Sequence, residues 1–193
     1  MKNKHIRRNL FVIICILLGL SSKLNAGENI VRHYLEANSS SNLIFIGGDQ
    51  LNNQDSFATG FHISHGSNIT PMHAIVLSYG KDYVKNSDDV LTSKAFFLRR
   101  FIPALSSSHF SSFFVIGSGS YSYEKSDTLG ELASAGIIIG YGFDYLFSQN
   151  LRLSLEVDYR GFTVKQFGAS SENYVRPVTL FAGLKYYYKT SYY

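Results

Sequence analysis

The stretch from Leu151 to Arg160 alternates without a break. Leu151, Leu153, Leu155, Val157 and Tyr159 fall on one face, and Arg152, Ser154, Glu156, Asp158 and Arg160 on the other. A period of two is the mark of a β-strand with unlike faces. The run before it repeats the pattern. Ala133, Ala135, Ile137, Ile139, Tyr141, Phe143, Tyr145 and Phe147 oppose Ser134, Gly136, Gly140, Gly142 and Asp144, with Ile138 and Leu146 as apolar exceptions. The last run sets Val178, Leu180, Ala182, Leu184, Tyr186 and Tyr188 against Thr179, Gly183, Lys185 and Tyr187, with Phe181 as the exception. Five earlier runs alternate less cleanly, the first least of all. The pattern predicts eight strands, at 42–49, 55–65, 72–83, 92–102, 110–124, 132–148, 151–165 and 175–189, with no long helical period in competition. Residues 27–41 read as an irregular lead-in, or a short helix suggested by the spacing of Ile30, Val31, Tyr34 and Leu35.

The connections come in two kinds that alternate along the chain. His65 to Pro71, Pro103 to His109 and Ser148 to Asn150 are compact; Asp49 to Asp55, Lys85 to Leu91, Glu124 to Glu131 and Gln166 to Tyr174 are polar or charged. An up-and-down barrel in an outer membrane has this asymmetry, with short turns at one end and longer loops at the other. The aromatics follow it. Phe101, Phe110, Phe113, Tyr145, Phe147, Tyr186 and Tyr188 sit by the compact turns or the C-terminal end, and Tyr79, Tyr83, Tyr121, Tyr123, Tyr159 and Tyr174 by the polar loops. Two aromatic girdles are expected where a barrel meets the two membrane interfaces.

The N-terminus changes the reading of charge. Lys2, Lys4, Arg7 and Arg8 precede an apolar run from Leu10 to Leu20, and small Ala26 follows. That is the order of a secretory signal peptide, residues 1–26, and the apolar run is shorter than the about 20 residues of a spanning helix. The segment carries five of the 18 Lys and Arg and no acid, leaving 13 basic and 14 acidic residues beyond it. The pI of 9.1 thus belongs mostly to the leader, which removes the case for a nucleic-acid partner. The single cysteine, Cys15, leaves with the signal, so disulfides and thiolate chemistry are not expected. An exported chain without spanning helices enters a membrane only as a closed barrel. Residues 42–193 are expected to form that barrel, an all-β, eight-stranded, antiparallel, up-and-down fold.

Alternation does not say which face is inside. A soluble, lipocalin-like carrier of an apolar ligand would bury the leucines and tyrosines. The polar face here is rich in small residues, Ser134, Gly136, Gly140, Gly142, Ser154 and Gly183, which suit the narrow interior of an eight-stranded barrel. The bulky apolar face suits lipid. Asp144, Arg152, Glu156, Asp158, Arg160 and Lys185 would then point into the lumen, where charges must pair. A structural plug is favoured over a gated ion path, because barrels of this size are filled by side chains.

Two segments resemble the bacterial outer-membrane β-barrel family of OmpA-like transmembrane domains and opacity-type surface proteins. Gly140 to Arg160 is similar to the hairpin of strands six and seven, and Gly183-Leu184-Lys185-Tyr186-Tyr187-Tyr188 to the closing strand with its alternate aromatics. The resemblance covers residues 110–193 well and earlier residues faintly. It implies residence in the bacterial outer membrane, insertion by the outer-membrane assembly machinery, contact with outer-membrane lipid and lipopolysaccharide, and a monomer with host or cell-surface ligands at its outside loops. It also implies a structural or surface-interaction role, in adhesion or envelope integrity, without catalysis or cofactor. No peptidoglycan-binding domain is expected after the barrel.

Some barrels of this kind hydrolyse lipid A with a His-x-Ser-Asn motif and an acid that orients the histidine. His65-Gly66-Ser67-Asn68 fits the motif, but the next acid is Asp82, and that family carries the motif near its C-terminus. A hydrolase needs base, nucleophile and orienting group within reach, so this reading is the lesser alternative. Metal binding by His62, His65 and His73 is weaker, because His62 and His65 face opposite sides of one strand.

Overall fold

A computed structural model describes residues 30–47, 54–105, 107, 109–124, 131–165 and 172–192. Eight strands run in chain order: β1 (Ile30–Gly47), β2 (Gln54–Thr70), β3 (His73–Val84), β4 (Val90–Ile102), β5 (Phe110–Glu124), β6 (Glu131–Leu146), β7 (Leu151–Lys165) and β8 (Glu172–Tyr192). Each pairs antiparallel with its neighbours, and β8 pairs with β1 to close the barrel. Closure satisfies the backbone groups that an open edge would leave bare. The signal-peptide segment 1–26 lies outside the described residues.

Three boundaries differ from the sequence reading. The first strand begins at Ile30, so residues 30–41 belong to the barrel rather than to a lead-in or a helix. Its middle is polar on both faces. Asn38 and Ser40 are buried while Ser39 and Ser41 are exposed, so the period leaves no hydrophobic trace. The second strand runs to Thr70, and Pro71-Met72 alone make the turn into β3. The last strand continues to Tyr192, which pairs with Ile30. A register shift between His33 and Tyr34 lets this happen, since Tyr34 faces Tyr187 and His33 faces Lys189. Tyr188 is the extra residue of that bulge, and bulges turn a strand without breaking the sheet.

The faces are settled by burial. Leu153, Val157, Leu180, Leu184, Ile137, Ile139, Tyr186 and Tyr188 are exposed, whereas Asp144, Glu156, Asp158 and Lys185 are buried. The exterior is therefore the apolar face, the reverse of a soluble carrier. Most of the proposed girdle also faces out, including Phe110, Tyr145, Phe147, Tyr79, Tyr83, Tyr159 and Tyr174. Phe113 and Tyr121 do not: both are fully buried, and half-buried Phe101 packs edge-on against Phe113. The run Phe110 to Ile116 is apolar at both parities, and only pairing settles which residues point inward. Phe113 shares the inward parity of Val115 and Tyr121, while Phe114 and Ile116 face out.

Candidate functional site: the charged lumen

The inward residues of β1, β4, β6, β7 and β8 meet in the half of the lumen near the compact turns. Arg99 of β4 lies between two carboxylates. Its Nη1 donates to Glu36 Oε2 at 2.5 Å, its Nη2 to Glu156 Oε2 at 2.7 Å, and its Nε to the same Glu156 oxygen at 3.1 Å. Nη1 also donates to the Tyr34 hydroxyl at 3.3 Å. The guanidinium lies 4.8 Å from the centre of the Phe113 ring. Beside it, Lys185 Nζ donates to both oxygens of Asp144, at 2.6 and 2.8 Å, and sits 5.0 Å from the Tyr34 ring centre. Such pairs offset the cost of taking charge out of water only when nearly every donor is used, and here most are.

A second cluster fills the loop-side half. His62 Nε2 donates to both oxygens of Asp82 at 3.1 Å, and the Ser40 hydroxyl donates to the same carboxylate. Arg160 pairs with Asp158 of its own strand at 3.2 Å and reaches Ser93 at 3.4 Å. Phe181 lies between the two groups, edge-on to His62 at 4.9 Å and under the Arg160 guanidinium at 4.7 Å. This apolar exception on the polar face of β8 is a deck on which a cation rests. Tyr121 stacks on Phe162 at 4.5 Å in the same half.

Of the six lumen charges expected from sequence, Asp144, Glu156, Asp158, Arg160 and Lys185 are buried inside. Arg152 is half-buried and nearer the turns, bonded to Ser111 at 3.1 Å and lying over the Tyr187 ring. Lys185–Asp144 and Arg99–Glu156 cross between strands, whereas Arg160–Asp158 joins two residues of one strand. The sequence reading missed Glu36, His62, Asp82 and Arg99 as lumen groups. Glu36 falls in residues 27–41, whose sequence reads as a lead-in. For Arg99 the signal was ambiguous, because Arg100 follows it and only the strand parity, with exposed Phe96 and Arg100, turns Arg99 inward.

Small residues make this packing fit. A Cβ on Gly66 would run into the ring of Tyr34, and one on Gly80 into the imidazole of His62. Both glycines are where a large side chain from the neighbouring strand lies flat across the wall.

The histidines outside the lumen do not form a hydrolytic triad. His65 faces outward, with its Nε2 2.8 Å from the Tyr188 hydroxyl, and Ser67 lies 2.8 Å from His33 Nδ1 rather than against His65. Among the described residues neither imidazole has a carboxylate partner. His73 is bonded to Thr70 at 3.0 Å, and no group of three metal-ligating side chains occurs among the described residues.

No protein-family model matches the chain, and no curated protein matches its sequence. Its fold does match solved structures. The crystal structure of Neisserial surface protein A is similar with a TM-score of 0.61 at 16% identity, covering 81% of this chain and 97% of that one. The solid-state NMR structure of the outer membrane protein AlkL in lipid bilayers gives a TM-score of 0.56 at 15% identity, over 86% and 94%. The attachment invasion locus protein Ail of Yersinia pestis gives 0.50 at 11% identity, over 84% and 100%. The chain therefore has the fold of the small bacterial outer-membrane β-barrels, as the resemblance of residues 110–193 implied, and its apolar belt is the surface such a barrel turns to lipid.

Proposed function

We propose that this protein is a monomeric, non-catalytic surface barrel of the bacterial outer membrane, acting through its outside loops in adhesion or envelope integrity. The observation that carries the reading is the Arg99 clamp. A guanidinium held by Glu36 and Tyr34 of β1 and by Glu156 of β7, with Phe113 of β5 against it, bars the turn-side half of the lumen. A barrel plugged by its own paired charges transports nothing through its centre, which leaves the outer wall and the loops as working surfaces. Insertion by the outer-membrane assembly machinery and host or cell-surface ligands at the loops belong to the same reading.

The experiment is electrical. The folded protein, reconstituted in planar bilayers, is expected to show no steady conductance, and a stable open channel in the unaltered protein would overturn the plug. The absence of catalysis has its own check. Lipid A extracted from cells producing the protein should have the mass spectrum of cells without it, and newly deacylated species would restore the hydrolase reading at His65 and Ser67.

A further inference from the structure

The register shift between β8 and β1 has a product on the outside of the barrel. Tyr188, the extra residue of the bulge, has no Cα partner on β1. Its side chain reaches over β1, and its hydroxyl lies 2.8 Å from Nε2 of His65 on β2. His33 belongs to the strand between. It faces Ser67, and Leu35 faces His65, so the two histidines are a diagonal pair on one outward face.

Three rings from three strands thus form a triangle with nearly equal sides. The centroids are 6.2 Å apart for His33 and His65, 6.2 Å for His65 and Tyr188, and 6.3 Å for His33 and Tyr188. His65 and Tyr188 are exposed and His33 is half-buried. The set stands near the turn-side end of β2, which stops at Thr70. An aromatic girdle accounts for a tyrosine at this level. It does not account for two imidazoles that meet it.

The polar atoms are spaced as ligands are. Two donors that each sit about 2.0–2.1 Å from one ion lie about 3 Å from each other. His65 Nε2 and the Tyr188 oxygen are 2.8 Å apart. On the other histidine, His33 Nδ1 lies 2.8 Å from Ser67 Oγ. A proton donated from Nδ1 to that oxygen leaves Nε2 bare, the arrangement in which a histidine ligand is oriented through its other nitrogen. Among the described residues no three His, Cys, Asp or Glu side chains gather to hold a metal, so the third donor here is a phenol.

From this geometry we infer that His33, His65 and Tyr188 bind one divalent transition-metal ion, copper(II) above all, on the outer wall of β8, β1 and β2. Nε2 of each histidine and the Tyr188 oxygen are the protein ligands, and water completes the shell. Imidazole suits copper, nickel and zinc, and the affinity of one nitrogen and oxygen site rises from nickel to copper and falls again at zinc. Binding replaces the hydrogen bond between His65 and Tyr188 by two bonds to the metal. The phenol proton passes to water, so the ion gains a phenolate. The site goes beyond the surface-barrel reading, and neither the conductance result nor the lipid A spectrum bears on it.

The test uses the folded full-length barrel in detergent, without a polyhistidine tag, titrated with copper(II). The unaltered protein should bind one equivalent. Its electron paramagnetic resonance spectrum should show coupling to two imidazole nitrogens, and its absorption spectrum a phenolate-to-copper band. His33→Ala and His65→Ala should each abolish stoichiometric binding. Tyr188→Phe should remove the absorption band and leave both nitrogens on the copper. Ser67→Ala keeps all three ligands and should weaken binding about tenfold, the lower end of the range for losing an outer-shell partner. His109→Ala, in the turn before β5, should bind as the unaltered barrel does. Heat-modifiable migration confirms that each variant is folded. No stoichiometric copper on the unaltered barrel, or full binding by the His33→Ala/His65→Ala double variant, overturns the site. Bound copper without a phenolate band in the unaltered protein overturns Tyr188 as a ligand. Zinc that displaces copper at equal concentration overturns the choice of metal. Loss of the copper in His109→Ala overturns the assignment to these three residues.

Discussion

Arg99 of β4 and Glu156 of β7 meet across the barrel, not along its wall: two strands separate them in the sheet, yet Nε and Nη2 of Arg99 both donate to one oxygen of Glu156. With Glu36 on its other side, Arg99 ties opposite walls together. Removing one partner of a buried ion pair typically costs about 3–5 kcal/mol, because the remaining charge is stranded. Arg99→Met leaves two carboxylates facing each other and should lower the unfolding free energy by about that amount in urea titrations of the folded barrel. Adding Glu36→Gln and Glu156→Gln to the same chain should recover a large part of the loss. If the triple variant is no more stable than Arg99→Met, the clamp is not what Arg99 contributes.

The Lys185–Asp144 pair isolates one contact. Both ends are buried, and both carboxylate oxygens accept from the ammonium. Lys185→Met and Asp144→Asn should each destabilise the fold, and the double variant should lose less than the sum of the two. A coupling energy of about 0.5–3 kcal/mol is the expected range for residues in direct contact. Additive losses would mean that each side chain acts through other neighbours, such as Tyr34 for Lys185.

Strands β6 to β8 were readable from sequence because each has one bulky apolar face and one small or charged face. The earlier strands conceal their parity for a physical reason. The lumen wall they provide is itself largely apolar, with Ala58, Ala74, Val76, Leu91, Phe97 and Val115 buried, so Leu77, Phe96 and Phe114 on the outside do not stand out against the inside. The charge network was half legible for the same reason. Asp144, Glu156, Asp158, Arg160 and Lys185 lie on the clearly alternating strands, while their partner Arg99 and the separate His62–Asp82 pair lie on strands whose faces look alike. Pairing across the barrel joins strands far apart in sequence, and no local pattern records it.

Gly66 offers a test of close packing inside the wall. Tyr34 lies where the Cβ of any other residue would be. Gly66→Ala should cost about 1–3 kcal/mol, the range for overpacking a filled interior. Shortening the obstacle with Tyr34→Ala in the same chain should make the alanine at 66 nearly neutral relative to Tyr34→Ala alone. A Gly66→Ala penalty that persists without the tyrosine ring would point to the backbone rather than to this contact.

The outer wall should respond to charge according to depth. Phe114, the fifth residue of β5 from its turn-side start, is exposed about halfway along the roughly 9–11 residues that cross the hydrocarbon, while Ser120, the eleventh, is exposed at the loop-side boundary. An arginine on the lipid face costs about 2–4 kcal/mol at the midplane and about 0–1 near the interface. Phe114→Arg should therefore fold poorly into lipid vesicles, with a reduced folded fraction by heat-modifiable migration, and Ser120→Arg should fold almost as well as the unaltered chain. The order matters more than either value. In a soluble barrel both sites face water, and both substitutions would be close to neutral. Equal folding of the two variants in vesicles would thus count against the membrane-facing wall, whereas a loss confined to Phe114→Arg locates the hydrocarbon on the outside of the barrel.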